Sequence, residues 1–370
     1  MNKFKWKILG IYEDLYYYIL GLPRFLFVWK DNKKLSLLTF FDRNVKKRPN
    51  DIAFIFEGEK TTWKEADQKV NHYAGFLKSQ KIDKGDCFAI LMDNSPDFLM
   101  ILLASFRIGS IAALINTTVS GEGLKHVINI SNVKLIIAGA SHLSKLTNAL
   151  ENSDLINLPL FSIEDSERIP AEFKDIKDLS KQFSTFDPYE PVMKDVAAYI
   201  FTSGTTGLPK AALVDHAKLV KGSFAGHFLC FNFKTKDRLY MTLPLYHSTG
   251  LVLGWAASLR AGCANIIKPK FSASEFWGDV KKYKANKFIY VGELCRYLMN
   301  LPASETDKSN SIVQISGNGL RPDIWDSFQK RFNIKKIVEI YGATEAVGMT
   351  VNSFGRSGMI GRKRSDSTII

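Results

Sequence analysis

Cysteine and histidine are scarce in this chain, at four and six among 370 residues. Cys87, Cys230, Cys263 and Cys295 lie far apart, with no Cys-x-x-Cys pair and no histidine at ligand spacing, so a zinc-built fold is not expected. They read as reduced thiols in or near the core of an intracellular protein. Long hydrophobic runs are missing as well. In the first thirty residues Glu13 and Asp14 interrupt the apolar stretch, and the longest uncharged run, 15–23, is less than half of the ~20 residues a spanning helix needs. Lys3, Lys5 and Lys7 precede it, but no small-residue cleavage site follows, which sets a secretory leader aside. The stretch 98–115, broken only by Arg107, is resolved by its ends. Ser95 can cap a helix, Pro96 suits its first position and Gly109 can stop it, so a buried helix and then a strand at 111–115 are expected.

Low-complexity sequence is also lacking, and 46% hydrophobic against 24% charged residues gives enough core for one large domain or two ordinary ones. The formal charge of +13 invites a nucleic-acid reading until it is located. Residues 1–50 hold 11 Lys/Arg against 4 Asp/Glu, and residues 355–370 hold 4 against 1. The body is therefore almost neutral, no basic stripe crosses it, and nucleic acid is not an expected partner. Basic ends suit an anionic membrane surface better. Residues 1–34 form a basic arm rich in aromatics, among them Trp6, Tyr12, Tyr16 and Trp29. The arm reads either as an interfacial membrane contact or as a helix packed on the protein's own body.

From residue 50 to 139, short apolar runs at 53–56, 87–92, 111–115 and 133–138 alternate with helical patterns at 63–79, 96–108 and 124–130. Strands separated by helices imply parallel pairing, hence an α/β region covered on both faces. The stretch 151–191 is more polar and carries Pro159, Pro170, Pro188 and Pro191, so it reads as a surface connection between two lobes, 35–190 and 191–362, followed by a basic tail at 363–370. The second lobe repeats the rhythm: strands at 196–201, 239–243, 264–267, 288–291, 312–316 and 336–341, and helices at 217–230, 251–260, 274–283, 293–300 and 323–331. No internal repeat of fixed period is present.

The densest chemical signal is YIFTSGTTGLPK, residues 199–210: an apolar strand running into hydroxyls and glycines and closed by Pro-Lys. Gly204 and Gly207 let backbone N–H groups approach an anion, Thr202, Ser203, Thr205 and Thr206 offer hydroxyl donors, and Lys210 supplies positive charge. Leu208 and Pro209 separate the second glycine from the lysine, so this is not a Walker A loop.

Together with PLYHSTG (244–250), ISGNGLRP (315–322) and YGATE (341–345), this string resembles the acyl-adenylate-forming superfamily. IYVGELCRYLMNLP (289–302) and GNGLRPDIWDSFQKRF (317–332) are similar to its fatty acid transport protein, or very-long-chain acyl-CoA synthetase, branch. The resemblance spans roughly 35–362. It implies the large N-terminal domain of the adenylate-forming fold, two βα lobes with mostly parallel sheets flanked by helices. It also implies a two-step reaction: ATP converts a long-chain fatty acid to acyl-AMP with Mg²⁺, and coenzyme A then displaces AMP. Carried over by motif, Glu345 holds the metal and Thr344 donates to the α-phosphate, while Tyr341, Gly342 and the backbone at Gly317, Asn318 and Gly319 enclose the adenine. Tyr199, residues 202–207 and Lys210 line the phosphates. His247 is read either as a hydrogen-bonded core residue or, by resemblance, as the group that positions the acyl carboxylate. The apolar segment 251–257 is equally an alkyl-channel wall or plain core.

Superfamily members continue beyond YGATE into a hinge and a small lid that carries a lysine assisting adenylation, whereas this sequence ends in KRSDSTII. A lid-less body is therefore expected, with weak turnover on its own. The alternative is a non-catalytic fatty-acid or nucleotide-binding partner of a full-length synthetase. Membrane association and linkage to fatty acid uptake follow from the resemblance, which also leaves room for a homo-oligomer.

Overall fold

The computed structural model describes residues 11, 31–151, 153–163, 173–183, 186–202, 207–342 and 349–361. Among them the strands are, in chain order, β1 (Ile52–Phe56), β2 (Glu59–Thr62), β3 (Cys87–Leu91), β4 (Ile111–Leu114), β5 (Val133–Ala138), β6 (Leu160–Ser162), β7 (Lys174–Asp175), β8 (Val196–Thr202), β9 (Lys210–Asp215), β10 (Arg238–Met241), β11 (Ala264–Ile267), β12 (Lys287–Val291), β13 (Gln314–Asn318), β14 (Lys336–Gly342) and β15 (Met349–Asn352). They form a seven-stranded sheet, β7-β6-β5-β3-β4-β8-β9, and an eight-stranded sheet, β15-β14-β13-β12-β10-β11-β1-β2. Pairing is parallel throughout except at the edges, where β9, β2 and β15 each run antiparallel to a neighbour.

Helices join the parallel strands, and their ends follow local chemistry. Helix Trp63–Ser79 starts at a capping box: the Thr62 N–H donates to Glu65 Oε2 at 2.8 Å, and the Glu65 N–H donates to Thr62 Oγ1 at 3.2 Å. Helix Pro96–Ile108 starts with the Phe98 N–H on Ser95 Oγ at 3.2 Å and stops at Gly109, whose φ of 74° is left-handed. Eleven of its thirteen residues are buried, so this apolar run is an interior helix.

The seven-stranded sheet is covered on both faces, as the period of two along each strand shows. Phe88, Ile90, Ala112, Leu114, Leu135 and Ile137 face a large core shared with the eight-stranded sheet. Ala89, Leu91, Ala113, Ile136 and Ala138 face a second cluster built with helices Gly121–Ile130 and Leu143–Leu150. All four cysteines are buried free thiols, and burial raises each one's pKa. Among the described residues, no helix is long and apolar enough to cross a membrane.

Three expectations change. The sheets do not respect a boundary at residue 190: β8 and β9 complete the sheet of the first lobe, and β1 and β2 complete that of the second. The polar stretch 151–191 is not merely a connection, because β6, β7 and helix Ile176–Ser180 lie in it and extend the seven-stranded sheet. Finally, the helix expected at 217–230 is α-helical over His216–Ala225 and then π-helical over Gly226–Phe231, and that at 251–260 is π-helical over Thr249–Ala256 before an α-turn at Ala257–Ala261. The arm at 1–34 lies outside the described residues apart from Ile11 and 31–34, as does the tail from 362 onward.

Candidate active site

In open α/β sheets, ligands collect beyond the carboxyl ends of parallel strands. Here the carboxyl edges of the two sheets meet, and Asn94 joins them. This buried amide follows β3. It donates from Nδ2 to the carbonyls of Leu243 (2.9 Å) and Lys268 (3.3 Å), beyond β10 and β11, and accepts the Leu245 N–H at 2.8 Å. Beside it Asp93 pairs with His142 Nε2 (3.3 Å) and Lys270 Nζ (3.4 Å). These contacts, His142 first, hold the Asp93 carboxyl below its ordinary value.

The phosphate-type loop is the turn of the β8–β9 hairpin. Thr202 and Lys210 are cross-strand partners at the carboxyl end of β8, and Gly207 lies in the segment between them. Gly207 has φ of 89°, a conformation that favours glycine, and open space where a side chain would stand. The Pro209 carbonyl lies 3.1 Å from His126 Nε2, which ties the loop's exit to helix Gly121–Ile130. Lys210 is exposed. Tyr199, three residues before the end of β8, packs with the helix-covered cluster, and burial raises its phenol.

Gly317, Asn318 and Gly319 close β13, and Tyr341 and Gly342 close β14, at the same edge of the eight-stranded sheet as 242–250. Asn318 and Gly342 are exposed, and Tyr341 shows 62% of its surface, leaving an aromatic ring free to cover a planar group. The loop after β13 is fixed from below. Tyr290, Gly317 and Glu339 are in register across three strands, and the Tyr290 hydroxyl donates to Glu339 Oε2 at 2.5 Å. The other Glu339 oxygen accepts the Gly319 N–H and, at 3.2 Å, the Leu320 N–H. A Cβ on Gly317 would stand 1.9 Å from the Tyr290 carbonyl oxygen, so only glycine lets these strands close. Burial raises the Glu339 carboxyl above its ordinary value despite these three donors.

His247 follows β10 on the exposed side of this edge, where the Thr249 N–H lies 3.5 Å from its Nδ1. The segment after it is the π-helix Thr249–Ala256. Leu251, Trp255, Ala256 and Ala257 are core, whereas Val252 and Leu253 stay half-buried against helix 216–225 and its continuation, where Gly222 and Gly226 admit them. Ser203, Gly204, Thr205, Thr206, Thr344 and Glu345 lie outside the described residues. Of the sequence-derived set, the structure thus gathers Thr202, Gly207, Lys210, His247, Gly317, Asn318, Gly319, Tyr341 and Gly342 at the carboxyl edges, while Tyr199 sits within its strand. Sequence reasoning missed Asn94, Tyr290 and Glu339. The repeated polar–apolar alternation of VEIYG offered no reason to turn Glu339 inward, and Asn94 was hidden beside a cap signal.

A family profile described as AMP-binding enzyme matches residues 41–369, and the chain belongs to that family. Its fold is that of the N-terminal domain of adenylate-forming ligases, and its relatives fall in the fatty acid transport branch that the motifs indicate. It is 35% identical over 346 residues to long-chain fatty acid transport protein 6 of Homo sapiens, covering 90% of this chain and 54% of that protein. It is 32% identical over 325 residues to the medium/long-chain-fatty-acid–CoA ligase FadD6 of Mycobacterium tuberculosis, covering 88% and 53%. The chain thus spans about half the length of these curated relatives. Among solved structures, ATP-bound MatB from Rhodopseudomonas palustris superposes with a TM-score of 0.75 at 21% identity, covering 88% of this chain and 64% of that one, which establishes likeness of fold.

Proposed function

We propose that this chain forms the nucleotide- and acyl-binding body of an AMP-forming long-chain or very-long-chain fatty acid–CoA ligase, working at a membrane surface in fatty acid uptake. The observation that carries the reading is the junction at Asn94. It sets the carboxyl end of β3 against those of β10 and β11, which supports a site between the carboxyl edges of the two sheets.

In the first step a carboxylate oxygen attacks the α-phosphorus of ATP, the bond to the bridging oxygen breaks, and pyrophosphate leaves. Charge grows on the phosphoryl oxygens, and Lys210, Thr202, Ser203, Thr205 and Thr206, with the N–H groups at Gly204 and Gly207, are the donors proposed to meet it. Thr344 donates to the α-phosphate, and Tyr341 with Gly317, Asn318 and Gly319 holds the adenine flat. His247 orients the acyl carboxylate. In the second step the coenzyme A sulfur attacks the acyl carbon, the carbon–oxygen bond to AMP breaks, and the thiol proton goes to solvent.

Among the described residues, no group of three His, Cys, Asp or Glu could hold a metal ion. Mg²⁺ commonly takes one or two carboxylates and the substrate's own phosphates, so Glu345 is the proposed protein ligand. Bound there, the ion would neutralise phosphate charge. A long alkyl chain is recognised by burial, at about 0.8 kcal/mol per CH₂, and Val252 and Leu253, in the helix that follows His247, are half-buried apolar groups that could line its path.

The test is palmitate-dependent exchange of labelled pyrophosphate into ATP. Glu345→Ala should reduce it by roughly 10² or more, and Lys210→Ala likewise. Calorimetric binding of ATP and palmitate with no turnover in the same sample would instead assign the chain to a non-catalytic binding partner. Exchange supported only by short polar acids would remove the fatty-acid assignment.

A further inference from the structure

At the amino edge of the eight-stranded sheet, opposite the candidate active site, lies a cavity of ≈ 400 Å³. Its lining comes from the end of helix Leu37–Lys47, the π-helix Gly226–Phe231 and the segments that precede β10 and β11. Each of those strands is four residues long, so about 13 Å of strand separates the two edges. Five cations line the cavity, Arg43, Lys47, Arg48, Lys234 and Arg260, and no carboxylate does.

Two of the five cap a helix end, and a third, Lys234, donates from Nζ to Asn232 Oδ1 at 3.4 Å. Arg43 donates to the Arg260 carbonyl, and Arg48 to those of Ala261 and Gly262 (3.4 and 3.3 Å), which caps the C-terminus of helix Ala257–Ala261. Arg260 itself has no such explanation. Its guanidinium sits 4.6 Å over Phe40, 5.4 Å from Phe224 and 5.8 Å from Phe228, and makes no hydrogen bond or ion pair among the described residues. None of its nitrogens is a buried orphan, so these donors are open to the cavity and available to an anion. His227 lines the same cavity, and its Nδ1 is buried behind that wall without a partner. Burial, Arg260, Lys234 and Arg43 together push this imidazole down to about 4, so it stands neutral among the cations, able to donate or accept.

We propose that this cavity is a second, non-catalytic anion site that takes a phosphomonoester or inorganic phosphate dianion, with Arg260 as its anchor and Lys234 and Lys47 at its mouth. The position suits a regulatory ligand. The π-helix that carries His227 packs on the π-helix that follows His247, where a Cβ on Gly226 would stand 2.6 Å from the Leu253 carbonyl. An occupant would therefore bear on the segment flanking the candidate acyl site without touching the nucleotide.

Two probes distinguish the sources of such a group: sodium phosphate titrated against sodium chloride of equal ionic strength, read by thermal unfolding of the 370-residue chain, and co-sedimentation with phosphatidylcholine vesicles with and without phosphatidic acid. Arg260→Gln should weaken the response about tenfold or more, since it removes the charge-assisted donors of the anchor. Lys234→Glu, an exposed change that leaves the core alone, should weaken it in the same direction. Lys210→Ala should keep it. A response to phosphate that both pocket variants weaken assigns a soluble ligand, and one seen only with phosphatidic acid assigns a lipid headgroup. Absence of both responses, or responses that survive both pocket variants, overturns the proposal.

Discussion

Glu339 offers the sharpest test of how the loop after β13, the proposed adenine side, is held. Its carboxylate is almost wholly buried, at 1% exposure, and accepts from three donors: the Tyr290 hydroxyl and the N–H groups of Gly319 and Leu320. Replacing it with alanine leaves all three without an acceptor. Each orphaned buried donor costs about 1–3 kcal/mol, so a loss of roughly 3–5 kcal/mol is expected in urea unfolding, after some relaxation. Glutamine keeps an acceptor for the two backbone donors and an amide for the phenol oxygen, and it removes the buried charge. The pH dependence separates the two effects. Because burial raises the folded carboxyl's pKa, the folded state binds more protons than the unfolded state between the ordinary and raised values. Stability of the native protein relative to Glu339→Gln should therefore fall as pH rises through that window, and level off above it. A flat or rising difference, or an alanine variant as stable as the native chain, would refute this reasoning. Amide exchange at Gly319 and Leu320 supplies a local readout, and both should lose protection in the alanine variant.

Gly317→Ala should not be accommodated, because its Cβ would meet the Tyr290 carbonyl at 1.9 Å; loss of soluble folded protein or a fall of ~3 kcal/mol or more in urea is expected. Asn94→Ala removes three hydrogen bonds between the sheets and should cost about 2–4 kcal/mol, while lowering pyrophosphate exchange by displacing the carboxyl edges; unchanged stability would show that the junction is held elsewhere. His216 is buried against Phe106, and burial depresses its imidazole to about 4. Its contribution is present above its ordinary value of 6.5 and is lost as pH falls towards 4, so the acid limb of the stability profile should be shallower in His216→Phe, by up to roughly 3 kcal/mol at the bottom of that window.

What the sequence made legible was local. Helix Trp63–Ser79 and strands β5 and β11 fall where the apolar patterns place them, and the structure shows the helix start fixed by its own neighbours, Thr62 and Glu65. Of the strands the sequence did not yield, β2, β9 and β15 are antiparallel edges, and β6 and β7 are short parallel strands of three and two residues. Glu59–Thr62 is exposed or half-buried throughout, and Lys210–Asp215 buries only Val214, so neither has the apolar face that signals a strand. The π-helices keep the same apolar spacing as an α-helix. Their wider turns go with the close contact of Gly222 and Gly226 with Val252 and Leu253, which is a tertiary fact. Lobe membership failed for a similar reason: a strand's sheet is chosen by its partner, and β8 pairs with β4, more than eighty residues earlier in the chain. At the site, the glycines and hydroxyls announced themselves by composition, whereas Asn94 and Glu339 matter through what they touch.

The exchange of strands between the sheets bears directly on the chemistry. The β8–β9 hairpin stands at the free edge of the seven-stranded sheet, and only β8 is paired on both sides. One flank of the phosphate-type loop, through Thr202, is therefore anchored in a parallel sheet, while the other, through Lys210, belongs to a strand with a single neighbour and a further tether at Pro209 and His126. On the proposed function, an anchored flank at Thr202 and a lightly held flank at Lys210 suit a segment that meets a triphosphate. The loop after β13 is the opposite case, clamped by Glu339 and by Gly317 against Tyr290. An adenylating site needs both kinds of support: a rigid surface that sets the base in place, and an adaptable strap that follows the phosphates as charge moves from the α-phosphorus to the departing pyrophosphate.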